Sequence, residues 1–543
     1  PTPATRERSQ KMKVQSSEGK AQEGKDAHTK PTLLIPVEVP TWISFVIITM
    51  VLGTYWVSFK IAPLAFVDEA DKSKMGGFEG AVDVARKGGF PLYITAAIPC
   101  FLLMILAEII LMLIYKLPSA GGKYVLADAW SSLTAGVVQQ LVSTLVLKPA
   151  LINTLPYELL HQAVSVKYGL ALPIDNVSTW LAALVLCDVA YYWLHRFAHE
   201  INFLWAGHSV HHSSDHYNLS TALRQSWFQG VAAPLYYLPM ALLFPTPVYM
   251  AMNQANIVSQ FWIHTCLVRR LPAPVEWVLM TPSHHRVHHD RRVHKNFGGM
   301  FIIWDRMFGS FLDEEDAVSV IRGNLTKSGT QGEKVQEEVL LFGTRQNPTS
   351  WTEAVTQTMF WRPIVSALQK GASLRDIGKA ALIGPGYSTA GSKRTLVVPS
   401  ATSTRIRATS SLHWGGKIYV FAHFLIAVAI GFVVLIAKSG PWSLRSATAL
   451  YLMYTLYCHG RLLDCNVSAR VQELARCMVL VVFLLAVLYD PSKMFPLDIA
   501  NVFDMPPIRF LCIFLSGVHV VSAGILCLSQ GAFSETPAHK KSK

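Results

Sequence analysis

Eight stretches of this chain are apolar for about the length that crosses a bilayer, and that fact limits every fold open to it. A spanning helix needs about 20 consecutive, mainly apolar residues. Such runs occupy 42–62, 93–115, 133–152, 178–194, 415–437, 442–460, 475–490 and 508–529. The third is the least regular, because Gln139, Gln140 and Lys148 interrupt it. The stretch 227–263 reads as a hairpin of two further spans, broken by Pro234, Pro239, Pro245 and Pro247. Spanning helices tolerate proline where neighbours satisfy the freed carbonyls. Only 15% of residues are charged, against about a quarter in soluble domains. The expected fold is therefore an all-α polytopic membrane protein with about nine to ten transmembrane helices.

The net charge of +13 does not imply nucleic acid in such a chain. Excess Lys and Arg mark cytoplasmic segments of membrane proteins. Residues 269–295 carry Arg269, Arg270, Arg286, Arg291, Arg292 and Lys295 against Glu276 and Asp290, which predicts a cytosolic position. The loop 63–92 is nearly balanced in charge, weakly consistent with the opposite side. The eight cysteines are scattered, mostly inside apolar runs, and no CxxC occurs. They read as buried reduced thiols rather than a disulfide framework.

The chain divides by composition. Residues 1–41 form a polar tail of mixed charge, expected to be disordered and cytosolic, with nothing resembling a cleaved signal peptide. Residues 42–177 hold the leading spans, 178–312 a catalytic region, 313–414 a polar cytosolic segment, and 415–530 a C-terminal bundle. The polar segment opens on Asp313-Glu314-Glu315-Asp316, and its second half reads as a linker. The basic tail 531–543 ends Lys540-Lys541-Ser542-Lys543. That ending resembles a dilysine retrieval signal of the endoplasmic reticulum, although a basic tail can arise without one.

Three histidine clusters lie in the region 178–312. They are His195-Arg-Phe-Ala-His199, His208-Ser-Val-His211-His212 and His285-Arg-Val-His288-His289, eight of the chain's 19 histidines. Spacings of i, i+4 and i, i+3, i+4 place each set on one face of a helix. Imidazole is a ligand for Fe, Zn, Cu and Ni. A structural zinc site takes four ligands and usually includes Cys. Eight histidines without Cys exceed one such site and fit two metals better. The hairpin between His212 and His285 returns the third cluster to the surface of the first two. The prediction is one cytosol-facing di-metal cavity beneath the membrane plane.

Other residues gather around this expectation. His264 ends the hairpin and is a candidate ninth ligand. His284 falls off the ligand face of its cluster, and His216 and His294 read as pocket-edge residues. Asp188 lies seven residues before His195, on the same helical face. A carboxylate in a span is costly unless paired. Taking the N–H of a ligand histidine would pair it and fix the ring's tautomer. Rim aromatics (Trp205, Tyr217, Trp227, Trp262, Trp304) read mainly as an interfacial belt.

The pattern HxxxH, HxxHH, HxxHH, with Asp188-Val-Ala-Tyr191-Tyr192-Trp193-Leu-His195, resembles the fatty acid hydroxylase/sterol desaturase superfamily of membrane di-iron oxygenases. Further text resembles its alkylglycerol monooxygenase family. It includes Trp205-Ala-Gly-His208, Tyr217-Asn218, Arg224-Gln225-Ser226, Thr281-Pro-Ser-His284, Asn296-Phe-Gly298-Gly299 and Trp304-Asp305-Arg306. The similarity covers about a quarter of the chain, 178–312.

The resemblance implies two irons and a reaction dependent on O2 and tetrahydrobiopterin. It would hydroxylate the ether-bearing carbon of an alkylglycerol, giving a fatty aldehyde and a glycerol derivative. It also implies iron ligation by His195, His199, His208, His211, His212, His285, His288 and His289, and a link between Glu200 and pterin use. A solvated charge at a helix end is an equal reading of Glu200. Asp188 and Glu200 are thus the candidate catalytic residues. Hydroxylating an unactivated C–H bond needs a redox metal, which zinc is not.

Within the same superfamily, sterol desaturation or fatty acyl hydroxylation with cytochrome b5 as electron donor is the alternative. A metal transporter is more remote, because transporters place polar ligands near the bilayer midplane, whereas these histidines sit at span ends.

Overall fold

The computed structural model describes residues 41–61, 82, 85–86, 93–115, 124–147, 154–229, 235–317, 340–344, 348–385, 412–436, 442–493 and 505–528. The expected disordered tail up to residue 40, the basic C-terminal tail, most of the loop 63–92 and the linker 386–411 lie outside the described residues.

The leading helices are α1 (Thr41–Ile61), α2 (Tyr93–Ile114), α3 (Leu126–Val142) and the short α4 (Leu155–Leu160). The central region holds α5 (Val177–Glu200), α6 (Asn202–His212), α7 (Thr246–Ser259), α8 (Ala273–Val278), α9 (Pro282–His289) and α10 (Ile303–Met307). Then follow α11 (Glu353–Thr358), α12 (Arg362–Gln369) and α13 (Leu374–Leu382), and a bundle of α14 (Trp414–Ile436), α15 (Trp442–Leu463), α16 (Ala469–Tyr489) and α17 (Pro506–Leu528). Among the described residues there is no strand, only one isolated antiparallel bridge between Leu279 and Phe301.

Six helical segments are long and apolar enough to span: Ala96–Ile114, Leu126–Leu147, Val177–Glu200, Trp414–Gly431, Ala469–Tyr489 and Ile508–Leu528. Helices α1 and α15 have comparable length, 21 and 22 residues. The chain is an all-helical, multi-pass membrane protein, with fewer clear spans among its described residues than the nine or ten expected.

The difference lies mainly at 227–263. Its described residues hold a 3-10 turn (Leu238–Leu242) and the 14-residue α7, which is shorter than the roughly 20 residues a span requires. Prolines at 239, 245 and 247 each remove a backbone donor, and here they divide the segment. The third span starts earlier than its apolar run, at Leu126 rather than 133, and continues from α3 through a π-turn at Ser143–Leu147. Hydropathy misplaces that start because Asp128 sits in the first turn. The carboxylate is buried against Ser214 and Arg224 rather than exposed.

Apolar packing holds two bodies of core. In one, α2, α5 and α7 interdigitate through Phe101, Met104, Ala183, Cys187, Ala251 and Phe261. The Phe101 and Phe261 rings stack at 4.0 Å. In the other, α3 packs on the C-terminal bundle through Trp130, Val138, Leu452 and Leu456.

Buried polar groups then fix the loops. Glu108, in the membrane-spanning α2, is 1% exposed. It accepts hydrogen bonds from the Tyr124 hydroxyl, from Leu219 N–H at 2.8 Å and from the Thr265 hydroxyl at 2.5 Å. One carboxylate thus joins α2 to the segments that follow the second cluster and His264. Removing it strands three buried donors, at a cost of roughly 2–4 kcal/mol. Glu108→Ala is expected to lower the Tm of the detergent-solubilised protein by several degrees. An unchanged Tm would show that Glu108 carries no such load.

Candidate metal centre

Helix α5 begins at Asn176, whose side chain accepts from Ser178 N–H at 3.0 Å. It then runs unbroken to Glu200. The apolar span and the first histidine cluster are therefore one rigid rod, with His195 and His199 stacked one turn apart. A short break at Ile201 starts α6, which presents His208, His211 and His212. Thr281 and Pro282 start α9, proline occupying a first-turn position where no N–H is needed. Helix α9 presents His285, His288 and His289.

These elements bring the histidines into two buried sets. His195, His199, His208, His212 and His288 form one, and His211, His264, His285 and His289 the other. Within each set one nitrogen per ring lies within 4.8 Å of all the others. His264, at the end of the broken hairpin, completes the second set. His284 faces Thr281, 3.3 Å from its hydroxyl, and stands apart from both sets. The His294 ring packs at the edge of the first set, 5.9 Å from that of His199.

The chemistry of the ring nitrogens tests whether metal fits. His211 Nδ1 faces Arg224 O at 3.2 Å, His264 Nδ1 faces Gln260 O at 2.8 Å, His288 Nδ1 faces Lys295 O at 3.0 Å, and His195 Nδ1 faces Phe297 O at 2.8 Å. A carbonyl only accepts, so each Nδ1 carries the proton. Burial then holds the rings outside the spans well below the ordinary imidazole pKa, His211 at about 4, so they are neutral. A neutral ring protonated at Nδ1 presents a lone pair at Nε2.

Yet His264 Nε2 stands 3.1 Å from His211 Nε2. These are two lone pairs face to face, and no hydrogen bond can form between them. The other Nε2 pairs, 195–208, 208–212, 212–288, 264–285 and 285–289, lie at 3.0–3.2 Å. An ion held about 2.1 Å from each imidazole nitrogen would separate neighbouring ligands by about 3.0 Å at right angles and about 3.4 Å at tetrahedral angles. The spacing of both sets fits a metal ion, and in the second set the His211–His264 pair is repulsive without a cation.

Asp188 does not take a ligand N–H. Its Oδ1 accepts from Asn256 Nδ2 (2.5 Å) and Met300 N–H (2.7 Å), and its Oδ2 from Phe301 N–H (3.0 Å) and Trp304 Nε1 (2.8 Å). The helical-face argument located the residue correctly, but the loop 296–304 supplies better donors than His195, whose Nδ1 is engaged by Phe297 O. Glu200 belongs to neither set. It pairs with Arg196 at 3.0 Å and is 44% exposed along its side chain. Two of the expected belt aromatics point inward: Trp304 donates to Asp188, and the Tyr217 hydroxyl donates to Ile263 O at 2.7 Å.

Sequence reasoning missed the residues that hold this frame. Asp305 accepts from Phe297 N–H, Gly298 N–H and the Ser310 hydroxyl, each at 2.7 Å. Arg286 lies inside the third cluster and is buried. It makes a two-pronged pair with Glu314 at 2.8 Å and also donates to Thr265 O and Val268 O. Arg286 was legible only as a positive charge, and Asp305 only as part of a motif. Gly299 is required by close approach, because a Cβ there would stand 2.7 Å from Asp188 Oδ1 and from the Tyr191 ring.

An apolar cavity of about 290 Å³ reaches the first set, with His195 and His208 in its wall beside Tyr191, Leu194, Ala198 and Gly207. A third group, His423, His459 and Glu473, lies in the C-terminal bundle. There Arg476 already occupies both oxygens of Glu473, at 2.6 and 2.8 Å. That guanidinium leaves no place for a cation.

The fatty acid hydroxylase family matches residues 180–310, the stretch that holds all nine clustered histidines. An alkylglycerol monooxygenase of Homo sapiens is 33% identical over 440 residues, covering 79% of this chain and 89% of that protein. This chain belongs to the alkylglycerol monooxygenase family. Its relative from Danio rerio is 46% identical over 233 residues, and there the chain matches only half of that protein's length. By contrast, a putative sterol C5(6)-desaturase of Arabidopsis thaliana is 28% identical over 24% of the chain. No solved structure matches.

The Asp188-bound loop carries the carbonyl that orients His195. Gly299→Ala forces the loop away from Asp188, and the loop's Phe297 O holds His195. The variant is expected to lose roughly 1–3 kcal/mol of stability, seen as a lowered Tm. An unperturbed Tm would mean the loop accommodates the methyl group and does not fix His195.

Proposed function

We propose that this protein is a membrane di-iron monooxygenase that hydroxylates an ether lipid at the carbon beside the ether oxygen. The hemiacetal so formed collapses to a fatty aldehyde and a glycerol derivative. The observation that carries the reading is the pair of lone-pair-lined histidine sets at the end of an apolar cavity, in a chain of this family. Two irons, held by His195, His199, His208, His212 and His288 and by His211, His264, His285 and His289, would supply the redox power to activate O2 with electrons from tetrahydrobiopterin. On this reading the active site is cytosolic, from the basic segment 269–295, and the membrane is that of the endoplasmic reticulum.

The chain's own residues do the positioning. The backbone carbonyls of Phe297, Arg224, Gln260 and Lys295 fix the tautomers of His195, His211, His264 and His288, whose Nε2 atoms point inward with their lone pairs. Leu194, Ala198 and Gly207 give the cavity an apolar wall that takes an alkyl chain and excludes water. Gly207 adds no side chain there, which keeps the approach to His208 open. The first histidine set lines this cavity, so the bond attacked lies beside that set. Glu200, exposed at the end of α5, stands where a soluble pterin can reach it.

The deciding assay uses detergent-solubilised protein, loaded with iron, on a 1-O-alkylglycerol with and without tetrahydrobiopterin. Pterin-dependent aldehyde is expected. No aldehyde under either condition would refute the substrate, and aldehyde that forms only with cytochrome b5 would refute the pterin. His212→Ala and His288→Ala are expected to abolish activity while membrane insertion persists, and substantial turnover would contradict their ligand role. Metal analysis should find two irons per chain, falling to about one in His264→Ala, since that set loses one of its four ligands. An unchanged content would remove His264 from the ligands.

A further inference from the structure

The segment 313–414 reads as polar in sequence, yet it contains two amphipathic helices beside the cavity. Trp361, in the cavity wall, immediately precedes α12, and α13 follows after a short turn. One side of the pair is seated on the protein. Ile364, Ala367 and Ala380 are buried, and Asn202 Nδ2, at the start of α6, donates to Ala380 O at 2.7 Å.

The remaining apolar residues face outward. Leu374 is 88% exposed, Leu382 68% and Leu368 55%. Burying a leucine side chain is favourable, and three left in water forgo that stabilisation. The charged residues of the pair and its turn are Arg362, Lys370, Arg375 and Lys379 against Asp376 alone. Short helices with apolar residues on one side and basic residues on another suit the headgroup boundary of a bilayer. Helix α13 packs on α6, which follows the spanning α5 after a short break at Ile201.

The cavity opens toward the same place. The Trp361 ring makes edge contacts with Phe203 at 5.2 Å and Phe228 at 5.0 Å. Both phenylalanines line the cavity and are well exposed, at 42% and 39%. His195 and His208 line the same cavity. An opening framed by exposed aromatics and flanked by outward leucines faces lipid rather than water.

We propose that α12 and α13 lie in the bilayer interface, immersed through Leu368, Leu374 and Leu382, and that Trp361, Phe203 and Phe228 frame a lateral mouth through which an alkyl-chain lipid passes from the bilayer into the cavity. The mouth rests on the reading of the cavity as a lipid-substrate site, whereas the immersion of the helices does not. Immersion puts the leucines in acyl chains and the basic side chains among phosphates. Trp361, fixed to the first residue of α12, is then held at the depth where the lipid tail begins.

The test uses the full-length protein in nanodiscs of phosphatidylcholine and phosphatidylserine, with exposed Cys527 replaced by serine. A nitroxide placed at Leu374→Cys or Leu382→Cys is expected to collide mainly with O2, and one at Arg375→Cys mainly with a water-soluble nickel chelate. Chelate-dominated collision at all three positions would overturn the immersion. This readout needs no turnover, so it stands even if the substrate assignment fails.

The mouth is tested by the triple variant Leu368→Gln, Leu374→Gln, Leu382→Gln. Its KM for a long-chain alkylglycerol in nanodiscs is expected to rise about fivefold or more, with kcat retained and the difference lost in detergent micelles. A KM unchanged in nanodiscs would overturn the mouth. Wild-type protein that yields no aldehyde would instead refute the substrate reading.

Discussion

Lone pairs facing one another at about 3 Å are the condition on which the rest of this structure depends. Neutral imidazoles whose Nδ1 protons are given to backbone carbonyls have nothing but acceptors to turn toward the centre. His211 and His264 meet in that way at 3.1 Å. The arrangement is repulsive in isolation and becomes favourable around a cation. Burial deepens the effect, because it disfavours protonating any ring to relieve the repulsion. The second set is thus a cation site by construction, and four of the nine rings have their tautomers chosen by main-chain carbonyls rather than by side-chain acids.

Such a centre needs a frame that cannot relax. The frame here is a set of buried charges whose donors and acceptors come from distant parts of the chain. Asp188 and Asp305 clamp the loop 296–310, whose carbonyl at Phe297 holds His195. Glu108 joins a spanning helix to Leu219 and Thr265. Arg286 is bound on three sides inside the third cluster. Each of these is costly to bury alone and acceptable only because it is fully engaged. Their combined effect is to fix backbone, and the backbone in turn fixes rings. Carboxylates near a metal centre are often read as direct partners of ligand histidines. In this protein they act one step further out.

How much of this the sequence discloses depends on the range of the interaction. Helical spacing is local, so the faces presented by His195 and His199, or by His285, His288 and His289, follow from the sequence directly. Asp188 was also placed on the correct face, but its partners were not, because Met300 and Phe301 are more than a hundred residues away and offer only backbone N–H groups. Within 227–263, α7 falls short of a span for a related reason. Hydropathy measures how apolar a stretch is, but not whether proline divides it into pieces too short to span. Likewise α3 begins at a buried Asp128, whose pairing with Arg224 no window of hydropathy can register. In 313–414 the apolar positions of α12 and α13 are few and interleaved with Lys and Arg, so average polarity concealed two amphipathic faces.

That this chain is helical, crosses a membrane and carries histidines at metal-ligand spacing is written locally, because apolar length and helical period are properties of neighbouring residues. How nine histidines divide into sets of five and four is set by packing. That division mixes rings from three helices and the end of a broken hairpin. The tertiary structure also decided that Glu200 stays outside both sets and that Trp361, beyond the matched region, closes the cavity wall. These are contacts across long separations, and no local pattern encodes them.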